Sequence, residues 1–92
     1  MEFTTLTFYK YTNIKDLQKL KNYLLALCEE HSVLGRILIA TEGINGGISG
    51  KNEAIELFKN TLKEHSLFHD LTFREQPCQE QAYHKLVVRT RK

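Results

Sequence analysis

From Phe3 to Tyr11 apolar and polar residues nearly alternate, with Leu6 and Phe8 on one side and Thr5, Thr7 and Tyr9 on the other, the period of a half-buried strand. The period then lengthens: Leu17, Leu20, Leu24, Leu27 and Cys28 recur at steps of three and four, while Lys15, Lys19, Asn22, Glu29 and Glu30 fall largely elsewhere. That spacing predicts a helix with one buried face, opened by Asn13 and Asp16 in a shortened capping arrangement. Two β-rich runs follow, roughly Arg36 to Thr41 and Ile44 to Ser49, joined as a hairpin through a glycine-punctuated turn. Gly50-Lys51-Asn52 ends the hairpin and offers Asn52 as the N-cap of a second helix. The stripe of that helix is Ile55, Phe58 and Leu62, flanked by Ala54 and Leu57, and it stops near His65-Ser66. Leu71 to Glu75 alternates as a fourth strand that Gln76-Pro77 breaks, and Leu86 to Arg91 forms a fifth.

Strand, helix, strand, strand, helix, strand is the ferredoxin-like βαββαβ order, here with one strand added at the C-terminal end. The fold class is therefore α+β, with two helices covering one face of a mainly antiparallel sheet and the opposite face open. Leu6, Phe8, Ile37, Ile39, Ile44, Ile48, Leu71 and Phe73 are expected to face the helices. Thr5, Thr7, Tyr9, Arg36, Asn45, Ser49, Thr72 and Arg74 are expected to point away, giving an outer face that is polar and partly basic.

The 92 residues suit a single domain spanning residues 1–92, and an apolar fraction of 41% with 26% charged residues is ordinary for a globular chain. No run is long and apolar enough for a membrane span, and residues 1–12 lack the pattern of a secretory signal, so a cytoplasmic protein is expected. Cys28 continues the helical stripe and Cys78 is placed in a loop; both read as reduced thiols. The net charge is only +2, yet from His84 onward Lys85, Arg89, Arg91 and Lys92 meet no acidic residue. That end is either a solubilising strand end or a phosphate-contacting patch.

An open sheet bearing Tyr9, Arg36, Asn45 and Arg74 could stack a base or sugar and hold phosphate; the plainer reading is a solvated surface or a docking face for another domain. Five-stranded ferredoxin-like domains include acylphosphatases, but their chemistry needs converging backbone donors and an arginine after the first strand. Here that loop, Lys10 to Asp16, has neither Gly nor Arg. His65 and His69 lack a zincin glutamate and straddle a helix end, Cys28-x-x-His31 sits on a buried stripe, and Cys78 has no basic neighbour in its segment to activate a thiolate. No metal site and no catalytic residue is expected from these patterns, and the glycines from Gly43 to Gly50 match no phosphate-binding loop.

Phe8-Tyr9-Lys10-Tyr11, Gly35-Arg36, the run Ala40-x-Glu42-Gly43-Ile44-Asn45-Gly46 continued by Ile48-Ser49-Gly50, and Lys85-Leu86-x-Val88-Arg89 together carry a specific likeness. The chain resembles, over nearly its whole length, the N-terminal, acylphosphatase-like domain of the rhodanese-related tRNA uridine hydroxylases. It departs from the family pattern at Gly47, where relatives often carry Thr or another side chain. The resemblance implies a longer enzyme that uses molecular oxygen to make 5-hydroxyuridine at the wobble position of tRNA. Its essential cysteine would lie in a downstream rhodanese-like domain and match neither Cys28 nor Cys78. This domain would hold no cofactor and would help bind or position the anticodon arm. Tyr9, Lys10, Tyr11, Arg36, Glu42, Asn45, Arg74 and Lys85 would then contact RNA or the neighbouring domain, with Arg89 and Arg91 as phosphate partners. Glu42, an anion, suits the ordering of the turn or a pairing with Arg36 or Lys10 better than phosphate. A docking or dimerisation module without RNA contact is the alternative, and an acylphosphatase-type hydrolase the weaker rival.

Overall fold

The computed structural model describes residues 1–91; Lys92, part of the basic end, lies outside the described residues. The elements run β1 (Phe3–Tyr11), α1 (Leu17–Glu30), β2 (Leu34–Ala40), β3 (Gly43–Lys51), α2 (Asn52–Glu64), β4 (Phe73–Cys78) and β5 (Leu86–Arg91). They form one sheet in the order β4-β1-β3-β2-β5, antiparallel throughout except where β5 lies parallel to β2. This is the expected ferredoxin-like arrangement with its added strand.

α1 packs over β2 and β5, and α2 over β3 and β1. Between helices and sheet lie Leu6, Phe8, Ile37, Ile39, Ile44, Ile48 and Val88 from the strands, Leu20, Leu24, Leu27 and Cys28 from α1, and Ile55, Phe58 and Leu62 from α2. Both helical stripes read from the sequence are thus the buried faces, and excluding them from water is the main force holding the layers together. Phe68 and Leu71 close the core from the α2–β4 connection. Phe8 and Phe73, directly opposed across β1 and β4, meet edge to face with ring centroids 5.8 Å apart.

Three local expectations are corrected. The cap of α1 is Asp16, not Asn13: its carboxylate accepts from the Lys19 N–H at 3.0 Å, the usual reach of an N-cap side chain to the third helical residue. Asn52 is the first residue of α2, and Lys51 precedes it without a side-chain cap. β3 runs straight into the helix, so the Asn52 side chain is free to fasten the chain start, accepting from Thr4 Oγ1 at 2.7 Å and donating to the Met1 carbonyl at 2.6 Å. Pro77 does not break β4, which continues to Cys78. β4 is an edge strand with β1 as its only neighbour, and a residue without an N–H is tolerated there. Cys78 therefore ends a strand instead of lying in a loop, its Sγ 2.9 Å from Thr5 Oγ1.

The hairpin needs only Thr41 and Glu42 as its turn. Their carbonyls accept from Ile14 N–H and Thr12 N–H, each at 3.0 Å, which stitches the turn to the β1–α1 connection. Gly43 makes that approach possible, because a Cβ there would sit 2.2 Å from the Lys10 carbonyl oxygen.

Candidate nucleic-acid interface

Register fixes which side chains share the face away from the helices. One transverse row reads Arg74, Thr7, Gly47, Arg36, Val87; the next Tyr9, Asn45, Leu38, Arg89; the third Tyr11, Gly43, Ala40, Arg91. These positions alternate with the buried core residues, so burial of Leu6, Phe8, Ile37, Ile39 and Val88 dictates what projects outward. The outward strand positions carry Arg74, Arg36, Arg89 and Arg91 and no carboxylate among the described residues. With strands about 4.8 Å apart, Arg74 and Arg36 face each other across about 14 Å of floor made by Thr7 and Gly47.

Two adjoining hollows occupy this face. The larger, about 1110 Å³, is lined by Thr7, Tyr9, Arg36, Leu38, Asn45, Gly47 and Arg74, with the stretch Asp70 to Phe73 at its rim. The smaller, about 360 Å³, lies among Tyr9, Tyr11, Leu38, Ala40, Glu42, Asn45 and Arg91. Tyr9 and Tyr11 are 70% and 82% exposed, with ring centroids 6.3 Å apart. Large aromatic rings left that bare have an apolar face with nothing packed on it.

The face is not open along its whole length, which corrects the expected free surface. The chain must pass from β4 at one edge to β5 at the other, about 19 Å, and the helices occupy the inner side. Residues 79–85 therefore cross the outer side as an irregular, repeatedly bent strap. Ala82 N–H donates to Ser49 Oγ at 3.4 Å, and Ser49, expected at the surface, is 0% exposed. Tyr83 lies over Gly47, where a Cβ would come within 2.7 Å of the phenol oxygen. Gly47, having no side chain, makes room for this strap.

Of the sequence-selected residues, Tyr9, Asn45, Arg36 and Arg74 gather around the larger hollow, and Tyr11, Glu42 and Arg91 around the smaller. Arg89 ends the row of Asn45. Lys85 is exposed at the end of the strap, where its carbonyl accepts from Gly35 N–H at 3.0 Å. Lys10 borders both hollows, but its side chain does not project with the outward rows. It stands at an inward position of β1, its ammonium donating to the Leu67 carbonyl at 2.7 Å and pairing with Asp70. That hydrogen bond holds the Asp70 carboxyl below the usual carboxylate range. Glu42 acts through its backbone carbonyl, and its exposed side chain makes no ion pair among the described residues. Leu38 and Thr7 follow from strand period once Arg36 and Tyr9 are placed. Tyr83 carries no periodic signal, because it lies in irregular chain.

The remaining candidates lie elsewhere. His65, half-buried, stacks between Tyr23 and Phe68, and its Nδ1 accepts from Leu67 N–H at 3.1 Å. Burial first, and the nearby Lys19 charge second, lower its pKa. Burial also pushes the Cys28 thiol up to about 12, with Glu29 adding to the effect. Among the described residues no three His, Cys, Asp or Glu side chains gather as a metal site. In the β1–α1 connection, where an acyl-phosphate hydrolase would cradle its anion, the N–H groups of Thr12 and Ile14 already bond the hairpin turn.

Two layers with this topology define an acylphosphatase-like α+β domain, and solved structures share it. The acylphosphatase of Bacillus subtilis superposes with a TM-score of 0.68 at 11% identity, over 94% of this chain and 96% of that one. The BLUF domain of BlrP1 gives 0.75 at 16% identity, over 98% of this chain and 64% of that one. Identities this low establish a common fold alone. The family itself is shown by sequence: the model of the UPF0176 acylphosphatase like domain matches residues 3–92, and the chain belongs to that family. Its curated relatives include the tRNA uridine(34) hydroxylases of Enterococcus faecalis, 40% identical over 91 residues, and of Staphylococcus saprophyticus, 38% identical over 91. Each alignment covers 99% of this chain but 29% of the relative, so the chain spans less than a third of their length.

Proposed function

We propose that this domain serves a tRNA-modifying oxidoreductase of the cytoplasm by receiving the anticodon arm on its outer sheet face. It presents that arm to a downstream rhodanese-like domain, which would hydroxylate the wobble uridine at C5 with molecular oxygen. The domain itself is non-catalytic in this reading. One observation carries the RNA contact: among the described residues, outward strand positions hold four arginines, two exposed tyrosines and no carboxylate. Arginine gives bidentate contacts to phosphate, and such contacts position a polynucleotide without reading its sequence.

The test is an anisotropy titration of the 92-residue chain against a labelled anticodon stem-loop over a series of salt concentrations. Binding should weaken linearly in log salt, and Arg36→Ala with Arg89→Ala should flatten the slope by about 0.7 to 0.9 for each phosphate no longer neutralised. Undetectable binding at low salt, together with full-length tRNA affinity untouched by the same pair, would instead assign the face to docking or dimerisation.

A further inference from the structure

The second and third rows of the outer face repeat one pattern. Each begins with a tyrosine on β1 and ends with an arginine on β5: Tyr9 with Arg89, then Tyr11 with Arg91. Between them lie only short or uncharged residues, Asn45 and Leu38 in one row, Gly43 and Ala40 in the other. Successive outward residues of a strand are about 6.6 to 6.8 Å apart, close to the spacing of successive phosphates in a polynucleotide backbone. The two ends of a row are three strand spacings apart, about 14 Å, and both side chains are long enough to lean over the floor between them.

We infer that these rows bind two successive unpaired nucleotides, one per row, with phosphates on Arg89 and Arg91 and bases laid on Tyr9 and Tyr11. This rests on the RNA reading above and adds to it the state of the RNA. A paired base has both faces stacked within the helix, so it has none to offer a tyrosine; only nucleotides of a loop, bulge or end can use the bare rings. The 360 Å³ hollow is lined by Tyr9, Tyr11 and Arg91, with Glu42 also on its wall, and Asn45, with both a donor and an acceptor, stands within reach of a base edge. The strap closes the opposite end of the face, with Tyr83 over Gly47 and Ala82 over Ser49, and confines the strand to the open rows.

The experiment compares two probes on the 92-residue chain, single-stranded octauridylate and a blunt eight-base-pair RNA duplex, by anisotropy over a salt series. Octauridylate should bind more tightly than the duplex. Tyr9→Ala with Tyr11→Ala should weaken octauridylate about tenfold or more at an unchanged salt slope, and leave the duplex alone. Tyr9→Phe with Tyr11→Phe should keep binding near that of the parent chain, since stacking needs the ring and not the hydroxyl. Arg89→Ala with Arg91→Ala should weaken both probes and flatten the octauridylate slope by about 0.7 per arginine. A duplex bound as tightly as octauridylate, or tyrosine variants without effect on it, overturns the inference while leaving an RNA-binding face. Failure of both probes and of the anticodon stem-loop to bind at low salt overturns the face as an RNA site altogether.

Discussion

The phenol oxygen of Tyr83 takes up the space that a side chain on Gly47 would need: a Cβ on Gly47 would stand 2.7 Å from it. Gly47 and the strap that shields one end of the outer face are therefore a coupled pair.

Because the crowded atom is the far end of a movable side chain, Gly47→Ala should displace the strap without unfolding the domain, at a cost within about 1 kcal/mol. Amide exchange at Ala82, bonded to Ser49 in the native chain, should speed up. In a Tyr83→Ala background the same substitution should be neutral or mildly stabilising, the usual effect of replacing glycine where the backbone permits it. Unchanged exchange at Ala82 in the single variant would separate Gly47 from the strap.

Gly43→Ala is the contrasting case. Its Cβ would meet the Lys10 backbone oxygen at 2.2 Å, in a strand held between two neighbours, and nothing flexible can give way. The expected loss is about 2 kcal/mol or more, seen as a lowered denaturant midpoint with an unchanged slope.

Lys10 and Arg36 should separate by role. Lys10→Met removes the link between β1 and the α2–β4 connection, so the melting temperature should fall while the salt slope of RNA binding stays near that of the parent chain. Arg36→Ala, on an exposed outer position, should do the reverse. A Lys10 variant with a flattened slope and an unaltered melting temperature would place that ammonium among the phosphate contacts.

Acid should weaken the fold partly through His65. Its folded pKa lies below the ordinary 6.5, so on acidification the unfolded chain takes up the proton first. The contribution is complete above about pH 6.5 and is lost as the pH falls through the window between the two values. Tracking the His65 ring by NMR should give a midpoint below 6.5, and denaturant midpoints should drop between pH 7 and the folded value. A ring that titrates above 6.5 would contradict the assignment of Nδ1 as acceptor from Leu67 N–H.

The two thiols should differ in reactivity. Cys28 is fully buried, with its thiol pushed up to about 12, whereas Cys78 is half-buried on an edge strand. Brief alkylation of the native chain should modify Cys78 and spare Cys28, and denaturation should expose both, as read by mass spectrometry.

What periodicity alone determined is extensive. The alternation of Phe3 to Tyr11 and of Leu86 to Arg91 gave both strands their observed ends, and the stripes of Leu20, Leu24, Leu27, Cys28 and of Ile55, Phe58, Leu62 became the two buried helix faces. From these the outward arginines and tyrosines follow, because a strand that buries one side chain must project the next. Tertiary structure decided whatever depends on distant neighbours. Pro77 stays in β4 because that strand lies at an edge, and Asn52 is drawn from capping to hold the chain start. Lys10 takes the inward position its strand period gives it, but the groups that hold it there, Leu67 and Asp70, lie nearly sixty positions away. Ser49 obeys its strand period and faces outward, yet is buried, because strand order sends residues 79–85 across the sheet above it. Local spacing states which way a side chain points; only the path of the rest of the chain settles whether water or protein meets it there.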